Sequence, residues 1–197
     1  MDDIIALAIN HTHFYLIPCQ GGKLLVDAGW KLAQFTSQLK VYQVAIREIR
    51  YVVFTHHHPD HAGLVQNIKD LSGAKLIIED HQIPYLEQLR AYFEKKGGYE
   101  PIRVEKSDLI NPGRQGLLSI GVRGEIIATP GHSDDSISLV LDNGAAFIGD
   151  LPAPDFVDDE AKPLVVQSWK KLLAHGAQVF YHSHTDPISA ETIRNMI

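Results

Sequence analysis

Cysteine is nearly missing from this chain: Cys19 stands alone among 197 residues. A single thiol excludes an internal disulfide framework and any cysteine-cluster metal site. Basic residues are also short, 18 Lys and Arg against 24 Asp and Glu, for a formal charge of −6. A net-acidic chain offers no broad electrostatic footprint for nucleic acid or for an anionic membrane, and neither is expected as a partner. No apolar run approaches the roughly 18 residues of a membrane span. The opening Met1-Asp2-Asp3-Ile4-Ile5 carries no basic stretch of the kind that starts a signal peptide. These absences set the expectation of a cytoplasmic protein, with residues 1–197 read as one domain. Hydrophobic residues at 45% and charged residues at 21% argue against disorder. What the chain has in excess is histidine, 11 in all, and their placement carries the chemistry.

Short β-type runs recur at Phe14–Ile17, Lys23–Asp27, Tyr51–Phe54, Lys75–Ile78, Glu125–Ala128, Ile137–Leu141, Ala145–Ile148 and Gln178–Tyr181. Most are rich in branched or aromatic residues and lie beside turn formers. Asp142-Asn143-Gly144 marks a hairpin between two of them. Helical patterns lie at Lys31–Leu39, Ala62–Leu71, His81–Lys96, Val165–His175 and Ser189–Met196. Ser189 suits an N-cap, with Glu191 in the first turn. Gly97-Gly98 and Asn111-Pro112-Gly113 punctuate an irregular middle. Hairpins mixed with helices predict an α+β chain whose sheets are covered by helices, without regular βαβ alternation.

The apolar run Tyr51-Val52-Val53-Phe54 leads at once into Thr55-His56-His57-His58-Pro59-Asp60-His61. Such a cluster cannot be buried unless something pairs it. Imidazole nitrogens and carboxylate oxygens are ligands of zinc and similar divalent ions. On an extended segment, side chains two apart point the same way, so His56 and His58 suit one ion. Pro59 favours a turn, after which Asp60 and His61 face a second direction and a second ion. His57 points away from its neighbours and suits packing or support rather than ligation. Downstream, three more apolar strands end in candidate ligands: Glu125–Thr129 leads to Pro130-Gly131-His132, Ala145–Gly149 to Asp150, and Gln178–Tyr181 to His182-Ser183-His184. Ligands delivered by several strand ends make a rigid site at one edge of the sheets.

In this order the motifs resemble the metallo-β-lactamase superfamily. Thr55–Gly63 is similar to its His-x-His-x-Asp-His signature, Thr129–Ser133 and Phe147–Asp150 to its next two ligand motifs, and His184–Pro187 to its closing His-Gly-x-Pro. Upstream, Leu24–Gly29 resembles the family's early strand with its Asp-x-Gly. The resemblance implies a four-layer αββα sandwich of two mixed sheets flanked by helices, holding two divalent ions along one edge. Zinc is the first expectation for those ions, with manganese or iron(II) as alternatives. His56, His58 and His132 would hold one ion, Asp60, His61 and His184 the other, and Asp150 would bridge. Asp27 would support the His-rich loop. His182 ends the same strand, and period-two alternation cannot separate it from His184. The small neighbours Ser183 and Thr185 and the following Pro187 favour His184 as the ligand, with His182 a hydrogen-bonded, partly buried support. The implied reaction is hydrolysis of an ester, lactone, thioester or related bond in a small molecule by a hydroxide between the ions, with Asp60 orienting it and moving its proton.

Some departures narrow this. The antibiotic-degrading enzymes usually carry cysteine where Asp150 stands. Only 13 residues follow His184, too few for the glutathione-binding domain of glyoxalase II. Ser133-Asp134-Asp135-Ser136 is more acidic than usual and reads as a solvated turn. His81–Lys96 reads as a packed helix rather than a lid. The other classes are a mononuclear or di-iron redox protein of persulfide-dioxygenase type, and a metal-binding protein without catalysis. The complete hydrolytic ligand set favours the hydrolase.

Overall fold

Within the segment Gly22–Val26, Leu24 and Val26 point to one face and Leu25 to the other, and all three are buried. A strand apolar on both faces needs cover on both sides. That requirement sets the architecture. The computed structural model describes residues 4–96 and 100–197, so the Gly97-Gly98 breaker falls outside the described residues. The first half of the chain supplies Ile5–Ile9 (β1), Thr12–Cys19 (β2), Gly22–Val26 (β3), Leu32–Val41 (α1), Ile49–Val53 (β4), Pro59–Ala62 (α2), Val65–Ser72 (α3), Lys75–Ile78 (β5), Leu86–Glu94 (α4) and Leu109–Ile110 (β6). The second half supplies Gly113–Ser119 (α5), Gly124–Ala128 (β7), Ile137–Leu141 (β8), Ala145–Gly149 (β9), Lys162–Ala174 (α6), Val179–His182 (β10), Ile188–Ser189 (β11) and Ala190–Arg194 (α7).

The six strands β1 to β6 form one sheet in chain order, and β11-β10-β9-β8-β7 form the second. Both sheets are mixed. Strands β3 to β6 run parallel to one another, β10 runs parallel to β9, and the hairpins are antiparallel. Three cores separate the four layers. Leu24, Val26, Val53 and Ile77 meet Leu139, Leu141 and Phe147 between the sheets. Leu25, Val52 and Leu76 pack outward on Phe35, Val65, Ile68 and Leu89 of the helices. Val140, Ala146, Ile148 and Phe180 pack outward on Val165, Trp169, Leu172 and Ile193. This is an α+β sandwich in αββα order.

Strand directions then place the site. β3 and β4 are parallel, so their C-terminal ends share one edge. β7, β9 and β10 likewise end together, because β8 is antiparallel to β7 and β9 and β10 follows β9. Every candidate ligand follows one of these ends. Ser189 caps the last helix as expected, its Oγ accepting the Thr192 N–H at 3.1 Å. Three expectations are corrected. His81–Lys96 is a 3-10 turn over Asp80–Tyr85 followed by α4, because Pro84 lacks the N–H that a continuous helix would use. Ala62–Leu71 is split into α2 and α3. The irregular middle contains α5, hidden by its two glycines, with Leu117 buried. No helix among the described residues is long and apolar enough to cross a membrane.

Trp169 is fully buried, stands edge-on to Phe180 at 4.7 Å, and donates its Nε1–H to the Pro152 carbonyl at 2.8 Å. It therefore anchors the segment just after Asp150. Trp169→Ala is expected to cost about 3–5 kcal/mol, read from urea unfolding. A loss below about 1 kcal/mol would show that the site edge does not depend on this packing.

Candidate metal centre

The extended backbone after β4 puts His56 and His58 on one side, with His56 Nε2 3.0 Å from His58 Nδ1. From the second sheet, the turn after β7 brings His132 Nε2 to 3.0 Å from the same His58 Nδ1. Pro59 starts the short α2, which turns Asp60 and His61 toward a second position, where His184 Nε2 lies 3.3 Å from Asp60 Oδ2. Asp150 lies between the two groups. Its Oδ2 is 3.3 Å from His61 Nε2, 3.2 Å from His184 Nε2, 3.6 Å from His132 Nε2 and 3.9 Å from His56 Nε2. Asp150 is delivered by Gly149, whose φ of +56° suits glycine; a Cβ there would sit 2.5 Å from Thr55 Oγ1.

The donor set fits divalent cations. His61 Nε2 and Asp150 Oδ1 are buried without a hydrogen-bond partner among the described residues. His58 Nδ1 faces two imidazole nitrogens at 3.0 Å, and one ring nitrogen cannot satisfy both by hydrogen bonding. Among the described residues, His56-His58-His132, His56-His61-Asp150 and Asp60-His61-His184 are the groups whose ligand atoms lie close enough to hold an ion.

The opposite ring nitrogens are held from behind, which fixes tautomer and orientation. His61 Nδ1 lies 2.9 Å from Asp27 Oδ2, His56 Nδ1 3.1 Å from Thr55 Oγ1, and His184 Nδ1 2.7 Å from the His11 carbonyl. Asp27 also accepts the Thr55 N–H at 2.7 Å. His182 stays outside the cluster; its Nδ1 accepts the His184 N–H at 2.9 Å. Asp134 is exposed, but Asp135 corrects the solvated-turn expectation. It is fully buried, accepts the His57 N–H at 2.8 Å and pairs with His57 Nδ1 at 2.9 Å. His57 is thus a support, and Asp135 ties the His-rich loop of the first sheet to the His132 turn of the second. Sequence reasoning missed the roles of Thr55 and Asp135. An acidic pair just past a candidate ligand histidine was the available signal.

Charge divides the centre. Burial pushes His56, His58 and His132 down, and neighbouring histidines push them further. Burial pushes His61 down too, but the Asp27 and Asp150 carboxylates overrule it and hold it up at about 10. Hydrogen bonds to Asp150 and Asp60 raise His184 to about 10. Burial would raise Asp60 and Asp150, yet hydrogen bonds from His184 and the charge of His61 hold both below the usual carboxylate range.

The family model of the metallo-beta-lactamase superfamily matches residues 10–186. The chain belongs to that superfamily. It is 34% identical over 145 residues to the "Beta-lactamase-like protein 2 homolog" of Caenorhabditis elegans, covering 72% of this chain and 44% of the relative. It is 25% identical over 238 residues to the Bacillus subtilis protein named "Probable metallo-hydrolase YqjP", covering 96% of this chain and 73% of the relative. The chain therefore spans under half the length of the nematode relative. Among solved structures, an archaeal metallo-beta-lactamase superfamily protein from Sulfolobus tokodaii superposes with a TM-score of 0.71 at 19% identity, over 98% of this chain and 84% of that one. A metallo-beta-lactamase family protein from Thermus thermophilus gives a TM-score of 0.70 at 20% identity, over 98% and 77%. At those identities the superpositions speak for the superfamily fold.

At pH 7 the imidazoles raised to about 10, His61 and His184, carry protons that a bound cation must displace, whereas His56, His58 and His132 carry none. Zinc binding to chelator-treated protein should therefore release protons at the Asp60-His61-His184 group. Affinity there should tighten about tenfold per displaced proton for each pH unit between about 7 and 9, while the three-histidine group stays flat. Calorimetry in buffers of differing ionisation enthalpy counts those protons, and a count of zero would contradict this division.

Proposed function

We propose that the chain is a metal-dependent hydrolase with a binuclear centre, zinc being its preferred metal. His56, His58 and His132 would hold one ion, Asp60, His61 and His184 the other, and Asp150 would serve both. It cleaves an ester, lactone, thioester or related acyl bond in a small molecule. The observation that carries this reading is the convergence on Asp150 Oδ2 of four imidazole nitrogens within 3.9 Å, drawn from both sheets and both ligand groups. The name of the B. subtilis relative supports the reaction class. Two divalent cations bound there would polarise a carbonyl oxygen and lower the pKa of water to about 7.

The remaining work falls to the chain's own groups. Asp60 is held ionised, and its Oδ2 lies 3.3 Å from His184 Nε2 and 3.5 Å from Thr12 Oγ1 at the open side of the centre. From there it accepts a hydrogen bond from an attacking water, orients the oxygen and takes up its proton. Asp27, Thr55 and the His11 carbonyl keep the imidazoles in place, so little reorganisation accompanies the reaction. The buried Asp135 does the same for the His56–His58 segment through His57.

Asp150→Ala should lower metal content at both groups and abolish hydrolysis together, whereas Asp134→Ala, on an exposed turn, should leave metal content unchanged. Elemental analysis of protein purified without chelator, paired with ester, lactone, thioester and phosphodiester substrates, tests the reading. Two equivalents of zinc or manganese with turnover are expected. One equivalent of iron with oxygen consumption would overturn it, and an Asp150→Ala protein retaining both ions tightly would remove the bridging role.

A further inference from the structure

Beside the centre lies a cavity of about 310 Å³ lined by Pro152, Ala153, Phe156, His182, Thr185 and Ile188. Its walls continue the two segments that supply Asp150 and His184: Pro152 follows Asp150 by two residues, and Thr185 is next to His184. Among the described residues no carboxylate, ammonium or guanidinium lines it. Phe156 is 83% exposed at its rim, on the 3-10 turn Pro154–Phe156, and offers its ring to a bound apolar group. Among the described lining residues the one ionisable side chain is His182. Its Nδ1 accepts the His184 N–H at 2.9 Å, so that nitrogen carries a lone pair and the ring proton resides on Nε2. Tyr15 Oη fixes the same residue by donating to the His182 carbonyl at 2.8 Å. The wall therefore combines an apolar surface with one imidazole whose ring is fixed through Nδ1 and whose Nε2 bears the proton, the composition of a small-molecule subsite.

We infer that this cavity binds the acyl portion of the substrate: an uncharged, medium-length apolar chain against Phe156, Pro152 and Ile188, with His182 Nε2–H donating to a neutral oxygen of the same substrate. The inference rests on the hydrolase reading and names its substrate class. Acyl groups ending in a carboxylate are disfavoured, because nothing in the wall pairs an anion. His182 acts here as a specificity-determining residue and stands outside the ligand groups.

Two measurements on the metal-loaded protein separate this inference from the hydrolase reading. The first is turnover of acetyl, butyryl, hexanoyl and succinyl thioesters of N-acetylcysteamine. The second is equilibrium binding of acetamide and hexanamide, which report on the cavity without reaction. We expect kcat/KM to rise on the order of tenfold or more from acetyl to hexanoyl, with succinyl below butyryl, and hexanamide to bind tighter than acetamide. Phe156→Ala should flatten both trends. His182→Asn keeps an acceptor for the His184 N–H but cannot reach as far as Nε2, whereas His182→Gln extends a donor to that position. The Asn variant should retain metal content and lose roughly five- to tenfold in kcat/KM for hexanoyl thioester, and the Gln variant should recover part of it. Thioesters cleaved with no dependence on chain length, together with equal binding of the two amides, would overturn the cavity assignment and leave the hydrolase reading intact. Inert thioesters with chain-dependent amide binding would uphold the cavity as an acyl site and overturn thioester hydrolysis. Equal effects of His182→Asn and His182→Gln would remove the donor role.

Discussion

Asp27 sits almost fully buried at the end of β3 with a left-handed φ of 59°, a conformation that a side chain tolerates at some cost. Its carboxylate accepts the Thr55 N–H, faces His61 Nδ1 and receives the Ser183 hydroxyl at 3.3 Å. Those partners belong to β3's neighbour in the first sheet, to α2, and to the end of β10 in the second sheet. A buried carboxylate with fewer donors would be expensive, so the two sheets are held at the stagger that satisfies it. The distances at the candidate centre follow from that stagger. Asp135 makes a second such tie on the other side, joining His57 to the turn that carries His132.

Between Asp27 and Asp150, His61 completes a carboxylate–imidazole–carboxylate row in a buried setting. Negative charge on both sides makes this ring basic, while the three-histidine group across the centre, crowded by imidazoles, is made less basic. One centre thus presents two electrostatic faces. Asp150 belongs to both, which is why its position beside a conformationally special Gly149 matters more than that of any single histidine.

Much of this was legible in the sequence, for physical reasons. Runs rich in branched and aromatic residues beside turn formers marked most strands of both sheets, and Lys75–Ile78 and Ile137–Leu141 fall where those runs put them. Spacing of two separated His56 and His58 from His57, and Pro59 signalled the change of direction before Asp60 and His61. The family motifs drew in Asp27, His132, Asp150 and His184. The misses share a cause, since local pattern carries no information on what lies across the fold. Asp135 looked like a turn residue because its partner, His57, is 78 positions away. Thr55 looked only like the opening residue of the His-rich motif until Asp27 and Gly149 arrived beside it. Strand β1 alternates buried Leu7 and Ile9 with exposed Ala6 and Ala8, yet alanine weakens the contrast that marks a half-buried strand. The two-residue strands β6 and β11 are too short to show any period.

The contacts that define the centre join positions far apart along the chain: His58 meets His132 across 74 residues, and His184 reaches the His11 carbonyl across 173. Closing such loops costs chain entropy before any contact repays it. The His56–His61 segment can gather its own side chains early, but Asp150 and His184 arrive only when β9 and β10 have docked against the first sheet. A nascent chain therefore offers a cation at most a partial, weakly selective grip. The full donor set is a late product of folding, and its completion reports that both halves of the sandwich have come together.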